Sequence, residues 1–137
     1  MMPFSEMLTV HEDAQRRTSL RNRVETLLDL AQSLPPRDRL ILEQVYRHGL
    51  SVAEVARLIE EPAGRVRRRI ARLIRLVQKP EFKFLARHEA LLPANVRQTC
   101  RLVVFEGMSL RRTARHTGQT LHRVRQQVAT FHALARF

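Results

Sequence analysis

Six arginines lie between Arg65 and Arg75 of this chain, and no acidic residue interrupts them. The guanidinium group carries a permanent charge and a planar fork of N–H donors, which suits phosphate and the edge of guanine. Val66, Ile70 and Leu73 recur at the spacing of one apolar helix face, so the opposite face is basic. On an arbitrary helix this face would indicate a solvated basic surface, but on the second helix of a helix-turn-helix it predicts a helix that lies in the major groove of DNA. Its predicted DNA-binding residues are Arg65, Arg67, Arg68, Arg69, Arg72 and Arg75.

The pattern around these arginines occurs twice. Residues 34–77 and 92–135 align without a gap at an offset of 58 positions, with Gly49 on Gly107 and Ser51 on Ser109. Each copy indicates a helix, a Gly-hydrophobic-Ser turn, a short helix, a tight turn and a basic helix, which is the order of a helix-turn-helix. A supersecondary unit repeated at a fixed period predicts two tandem helix-turn-helix units.

The last helix of the second copy is less basic and more varied. Glutamine is a natural partner of adenine, and histidine or arginine of guanine, so this helix suits the reading of sequence. The alternative is that the second copy has become a packing or dimerisation module. The predicted DNA-binding residues of the second copy are Arg111, Arg112, His122, Arg123, Arg125, Gln126 and Thr130.

No segment alternates with a period of two, so the predicted fold is all-α, with an amphipathic helix before each unit (19–34 and 81–91). The predicted domains are a flexible N-terminal arm (1–18), a first unit (19–79) and a second unit (80–137). The first amphipathic helix should be capped by Thr18 or Ser19 and bury Leu20, and the next helix should bury Leu40. We expect the two units to pack as pseudo-equivalent lobes rather than as one long bundle, with the two amphipathic helices buried against their own unit and against each other.

A net charge of +12, carried mainly by arginine, implies a polyanionic partner, most simply nucleic acid. Cys100 is the single cysteine and occupies an apolar helix position, so we predict a core thiol in a reducing compartment. Neither a signal peptide nor a run of about 20 apolar residues is visible, which predicts a cytoplasmic, nucleoid-associated protein without a membrane partner.

Catalytic patterns are missing from the sequence. No glycine-rich phosphate loop, nucleophile elbow or carboxylate pair occurs. The histidines of the second copy, which include His116, His122 and His132, have no cysteine pair or acidic cluster that would complete a zinc site. We therefore predict no enzyme activity, no metal and no cofactor.

Three stretches of the first unit resemble region four of bacterial sigma factors, above all those of the extracytoplasmic-function class. They read LPPRDR at 34–39, GLSVAEVA at 49–56 and PAGRVRRRI at 62–70. The second unit is a weaker match, because Arg111 and Arg112 replace Ala53 and Glu54, and Thr113 stands where the family prefers an apolar residue. Nothing resembles the promoter-melting region two, so we do not expect a complete sigma factor.

The resemblance implies a sequence-specific, double-stranded-DNA-binding transcriptional regulator from a bacterium or its phage. It also implies a contact with RNA polymerase, and a homodimer is compatible with the sequence. Two alternatives stay open. One is a protein-binding adaptor that engages RNA polymerase or a sigma or anti-sigma factor without reading DNA. The other is an RNA-binding module.

Overall fold

The computed structural model describes residues 3–136, and every regular element in this range is helical, as the sequence predicts. A 3-10 turn spans Glu89–Leu91, and a π-helical segment, Arg101–Phe105, continues the sixth helix. None of the helices in this range is long and apolar enough to cross a membrane. The eight α-helices are α1 (Phe4–Ala31), α2 (Pro36–Tyr46), α3 (Val52–Ile59), α4 (Ala63–Val77), α5 (Pro80–His88), α6 (Ala94–Cys100), α7 (Leu110–Thr117) and α8 (Leu121–Ala135).

The first helix starts much earlier than predicted. It begins at Phe4, within the segment 1–18 that we expected to lack regular structure, of which Met1 and Met2 lie outside the described residues. Thr18 does not cap the helix but lies inside it, where its hydroxyl donates to the carbonyl of Ala14 at 3.0 Å. Leu20, predicted to be buried, is exposed. The prediction failed because the first five turns are exposed, so no apolar stripe continuous with the core marks them.

The core of the first unit forms where the last turns of α1 pack against α2 and α4. The predicted apolar face of α4 is confirmed, since Val66, Ile70, Leu73 and Val77 are all buried. Leu40 is exposed, contrary to prediction, whereas Ile41, which the same periodicity predicts to be buried, and Leu42 are both buried.

The core does not stop at the end of the first unit. Helix α5 packs against α4 on one side and α8 on the other. The Phe82 ring lies edge-on to Phe105 with centroids 4.9 Å apart, and Phe84 lies 5.8 Å from Phe131. One cluster of buried residues therefore runs from Leu30 to Phe131, and only Ala114, Val124 and Val128 form a separate small cluster. Residues of both units thus contribute to one core.

The helices of the two units recur at the offset seen in the sequence. Helices α3 and α7 are 58 positions apart at both ends, and so are α4 and α8. The turn glycines agree as well, because Gly49 and Gly107 have φ of 70° and 67°. Left-handed φ of this kind is readily adopted only by glycine, which suits both residues to the turns that follow the helical segments ending at Tyr46 and Phe105.

Candidate nucleic-acid interface

Local interactions at the two ends of α3 determine where α4 begins. Ser51 accepts a hydrogen bond from the Glu54 backbone N–H at 3.1 Å, and the Glu54 carboxylate accepts one from the Ser51 N–H at 3.4 Å. This capping box fixes the start of α3. At the other end of α3, Glu60 adopts a left-handed conformation with φ 59°, and the chain turns into α4 after Pro62.

Helix α4 presents the predicted arginine face to solvent. It contains no acidic residue, and none of its exposed arginines forms an ion pair within residues 3–136. The surface is therefore electropositive and has donors available for an anion. Gly64 lies near the start of α4, where an added Cβ would meet only the Arg68 side chain, at 3.5 Å. Because glycine has no side chain, a ligand can approach the backbone of α4 closely at this point. The exposed arginines are Arg65, Arg67, Arg68, Arg72 and Arg75.

Arg69 differs from its neighbours because it holds the fold together. Its Nε donates to Asp38 Oδ1 of α2 at 2.7 Å, and its Nη1 lies 3.9 Å from Glu61 Oε2. Glu61 also accepts a hydrogen bond from Arg37 at 3.0 Å. These contacts tie α4 to α2 and to the preceding turn, and they neutralise the Arg69 charge. Arg69 is thus placed apart from the exposed arginines with which it was predicted to act.

The arginine face meets the second unit at its C-terminal end. Arg72 and Arg75 line a groove of about 490 Å³ together with Lys79 of the first unit and Glu106 and Gly107 of the second. Arg65 and Arg68 lie one to two turns away from this groove. The N-terminal half of α4 is therefore the more open part of the surface.

In the second unit, α8 begins with a capped first turn after a left-handed glycine, as expected for the second helix of a helix-turn-helix. Its N-cap Thr120 accepts a hydrogen bond from the Arg123 N–H at 3.1 Å, and the turn before it contains Gly118 with φ 70°. Residues 107–137 contain no Asp or Glu. All the predicted DNA-binding residues of this unit are exposed: Arg111, Arg112, His122, Arg123, Arg125, Gln126 and Thr130.

A ring of hydrogen bonds joins the buried side chains of Thr99 and Gln127, the latter on α8, to the half-buried side chain of Gln119. Thr99 Oγ1 donates to Gln127 Oε1 at 2.7 Å, Gln127 Nε2 donates to Gln119 Oε1 at 2.8 Å, and Gln119 Nε2 donates to Thr99 Oγ1 at 2.8 Å. Gln127 and Gln119 occupy the positions of Arg69 and Glu61 at the offset of 58. The same place in each unit is thus held by an ion pair in one and by neutral amides in the other.

Thr113, which departs from the family pattern, is buried without penalty. Its hydroxyl donates to the Ser109 carbonyl at 2.7 Å within α7. Back-bonding of this kind satisfies a buried threonine inside a helix. The departure therefore does not prevent α7 from packing like α3.

Two further exposed arginines on the helix-turn-helix units were not among the predicted DNA-binding residues. Arg57 on α3 and Arg115 on α7 are exposed and stand 58 positions apart. The repeat pairs them in the sequence, and this was the signal that could have identified them. The ring of Thr99, Gln119 and Gln127 was missed too, although polar residues at helix positions next to core residues were visible.

Cys100 is a buried free thiol, as predicted. Burial raises the pKa of this thiol from its ordinary 9.0 to about 11, because the apolar surroundings disfavour the thiolate. Within residues 3–136 no group of three or more His, Cys, Asp or Glu side chains is arranged to hold a metal ion.

The first unit is similar to a known protein family. The family model described as Sigma-70, region 4, matches residues 30–79. Searches of curated proteins and of solved structures found no match to this chain. The matched range contains the end of α1 and all of α2, α3 and α4. Residues 30–79 are therefore similar to region four of sigma factors, and they form a helix-turn-helix.

Proposed function

We propose that this chain is a sequence-specific, double-stranded-DNA-binding regulator of bacterial transcription that acts at the nucleoid. The observation that carries the proposal is the set of exposed, unpaired arginines on α4, the second helix of a sigma region four-like helix-turn-helix. The recognition helix of this motif enters the major groove. Arginine there bonds to phosphates and, in pairs of hydrogen bonds, to guanine.

The second unit is, in this proposal, a second copy of the same reader. It is supported by the offset of 58 shared by α3 with α7 and α4 with α8, and by the exposure of the predicted α8 residues. At the positions of Arg68 and Arg72, α8 carries Gln126 and Thr130. Helix α4 then supplies mainly phosphate contacts, whereas α8 supplies base contacts.

The likeness to sigma region four also supports a contact with RNA polymerase. In sigma factors, region four docks on polymerase while it reads the promoter, and the extracytoplasmic-function class is the one that the first unit resembles. Such a contact would make the chain a promoter-selective regulator rather than a passive DNA-binding protein.

Two substitutions test the division of labour between the helices. Arg68→Ala should weaken binding to every duplex and reduce the slope of log K against log salt by about one. Gln126→Ala should cost roughly 1–3 kcal/mol on the selected site alone. Arg87→Ala is the matched control, because it removes the same charge from the exposed surface of α5. The site is first selected from a random duplex pool, and affinities are then measured across a salt titration.

The wild-type slope is the first result to examine. About six neutralised phosphates predict a slope near −5. A flat response would contradict DNA binding, and polymerase capture without DNA would then favour the adaptor alternative. Equal or tighter binding to RNA would favour the RNA-binding alternative. If Gln126→Ala leaves the sequence preference unchanged, the second unit does not read DNA.

A further inference from the structure

The N-terminal part of α1 carries large apolar side chains that have no cover. Phe4, Met7 and Leu8 are 75%, 54% and 47% exposed. All residues from 3 to 23 are exposed, so more than five turns of the helix lie outside the core. A single exposed helix of this length is only marginally stable in water, because most helical stability in proteins comes from packing of an apolar face. The segment has the character of an interface.

These apolar residues share one face of the helix. At about 100° per residue, Phe4, Met7 and Leu8 fall within about 100° of arc. The same face continues along α1 through Gln15, Thr18, Asn22 and Thr26. It differs from the face of Ala31, which is fully buried in the core.

The far end of that face is the wall of a groove. Gln15, Thr18, Asn22 and Thr26 all line a cavity of about 740 Å³ between α1 and the C-terminal end of α4. Its apolar lining comes from Leu27, Leu30 and Val77. One face of α1 thus holds an exposed apolar end and an open apolar groove, which are about 20 residues apart.

The two ends of the exposed helix are also complementary in charge. Residues 3–15 contain Glu6, Glu12 and Asp13 and no Lys or Arg, whereas residues 16–27 contain four arginines and one glutamate. The groove itself is lined by the cations Arg23 and Lys83 and by no acidic residue. The acidic, apolar end of one α1 therefore matches the basic groove of another in both respects.

We propose that two copies of this chain associate through antiparallel α1 helices, each placing Phe4, Met7 and Leu8 in the groove of the other. The contact is isologous, since both copies use the same face, and the two-fold axis passes near Gln15. Leu8 of one copy then lies opposite Asn22 of its partner. A parallel pairing would instead align acidic with acidic and basic with basic segments. The dimer is independent of whether either unit reads DNA.

The first experiment measures the association state of the full chain by sedimentation velocity over a concentration series. The wild type should form a dimer, and Leu8→Glu should raise its dissociation constant at least tenfold. The matched control is Val10→Glu, because Val10 is similarly exposed (52%) but lies about 200° around the helix from Leu8. Val10→Glu should leave the dimer intact. A monomeric wild type at 100 µM, or equal effects of the two variants, would overturn the proposal.

The second experiment tests orientation by oxidative crosslinking, which the chain permits because its own cysteine is buried. Leu8→Cys with Asn22→Cys should give a covalent dimer. Leu8→Cys alone should not, because the two copies of residue 8 would be about 20 Å apart in the antiparallel arrangement. Efficient crosslinking by Leu8→Cys alone would show a parallel pair and refute the proposed geometry.

Discussion

Replacement of Arg69 by alanine should destabilise the fold and leave the salt slope of DNA binding unchanged. The side chains of Arg69, Asp38 and Glu61 are 24%, 14% and 19% exposed. Exposed ion pairs contribute about 0–1 kcal/mol, and removal of one partner of a fully buried pair costs about 3–5 kcal/mol. The Arg69 pair lies between the two limits, because its side chains are partly exposed and Asp38 loses its cation, whereas Glu61 keeps its ion pair with Arg37. We expect a loss of about 2 kcal/mol, or about 6 °C in Tm.

The assay is urea and thermal unfolding followed by circular dichroism, with Arg68→Ala as the control. Arg68 is the adjacent, exposed arginine, and its loss should change the unfolding free energy by no more than about 0.5 kcal/mol. Asp38→Asn completes a double-mutant cycle, in which the double variant should lose less than the sum of the single losses. DNA titrations well below Tm then give the salt slope of each variant.

The opposite pattern would refute this assignment. If Arg69→Ala unfolds like the wild type and lowers the salt slope by about one, Arg69 contacts phosphate. Its ion pair with Asp38 would then be replaced when DNA binds, and the arginine would belong with its exposed neighbours.

Two predictions concern the buried polar groups of the second unit. The raised pKa of Cys100 means that the unfolded chain loses the thiol proton first, so stability is full below pH 9 and declines between pH 9 and 11. By pH 11 the decline should be about 2 kcal/mol smaller in Cys100→Ala than in the wild type, as measured by urea unfolding at each pH; an identical decline would contradict it. Thr99→Val and Gln127→Leu should each cost about 1–3 kcal/mol, because each removes two hydrogen bonds of the ring, one of them to a buried partner. The double variant should lose about 1 kcal/mol less than the sum in thermal unfolding, whereas strict additivity would show that the ring does not act as a unit.

Local signals allowed the helices of the two units to be located from the sequence. Ser51 and Ser109 mark helix starts, and Gly49 and Gly107 mark turns, through interactions within a few residues. The face of α4 followed from helical periodicity alone. The exposure of the predicted site residues was therefore predictable, with the exception of Arg69.

Contacts between distant residues were not visible in the sequence. Arg69 lies at the edge of the basic face, and its partner Asp38 is 31 positions away on another helix. The ring of Thr99, Gln119 and Gln127 likewise depends on how α6 packs against α8. The start of α1 was missed for the opposite reason, since its exposed turns bury no side chain that would impose a pattern.

The shared core makes the folding unit larger than the segment of family similarity. The family match ends at residue 79, but Phe82, Leu85 and Phe131 are fully buried in the same cluster as Ile70 and Val77. A fragment cut after residue 79 would expose that surface to water, so the two halves should unfold in one cooperative transition. Any ligand that binds only one half in its folded form then stabilises the other half by the same free energy. Occupancy of one unit is in this way transmitted to the other as resistance to local unfolding and to proteolysis.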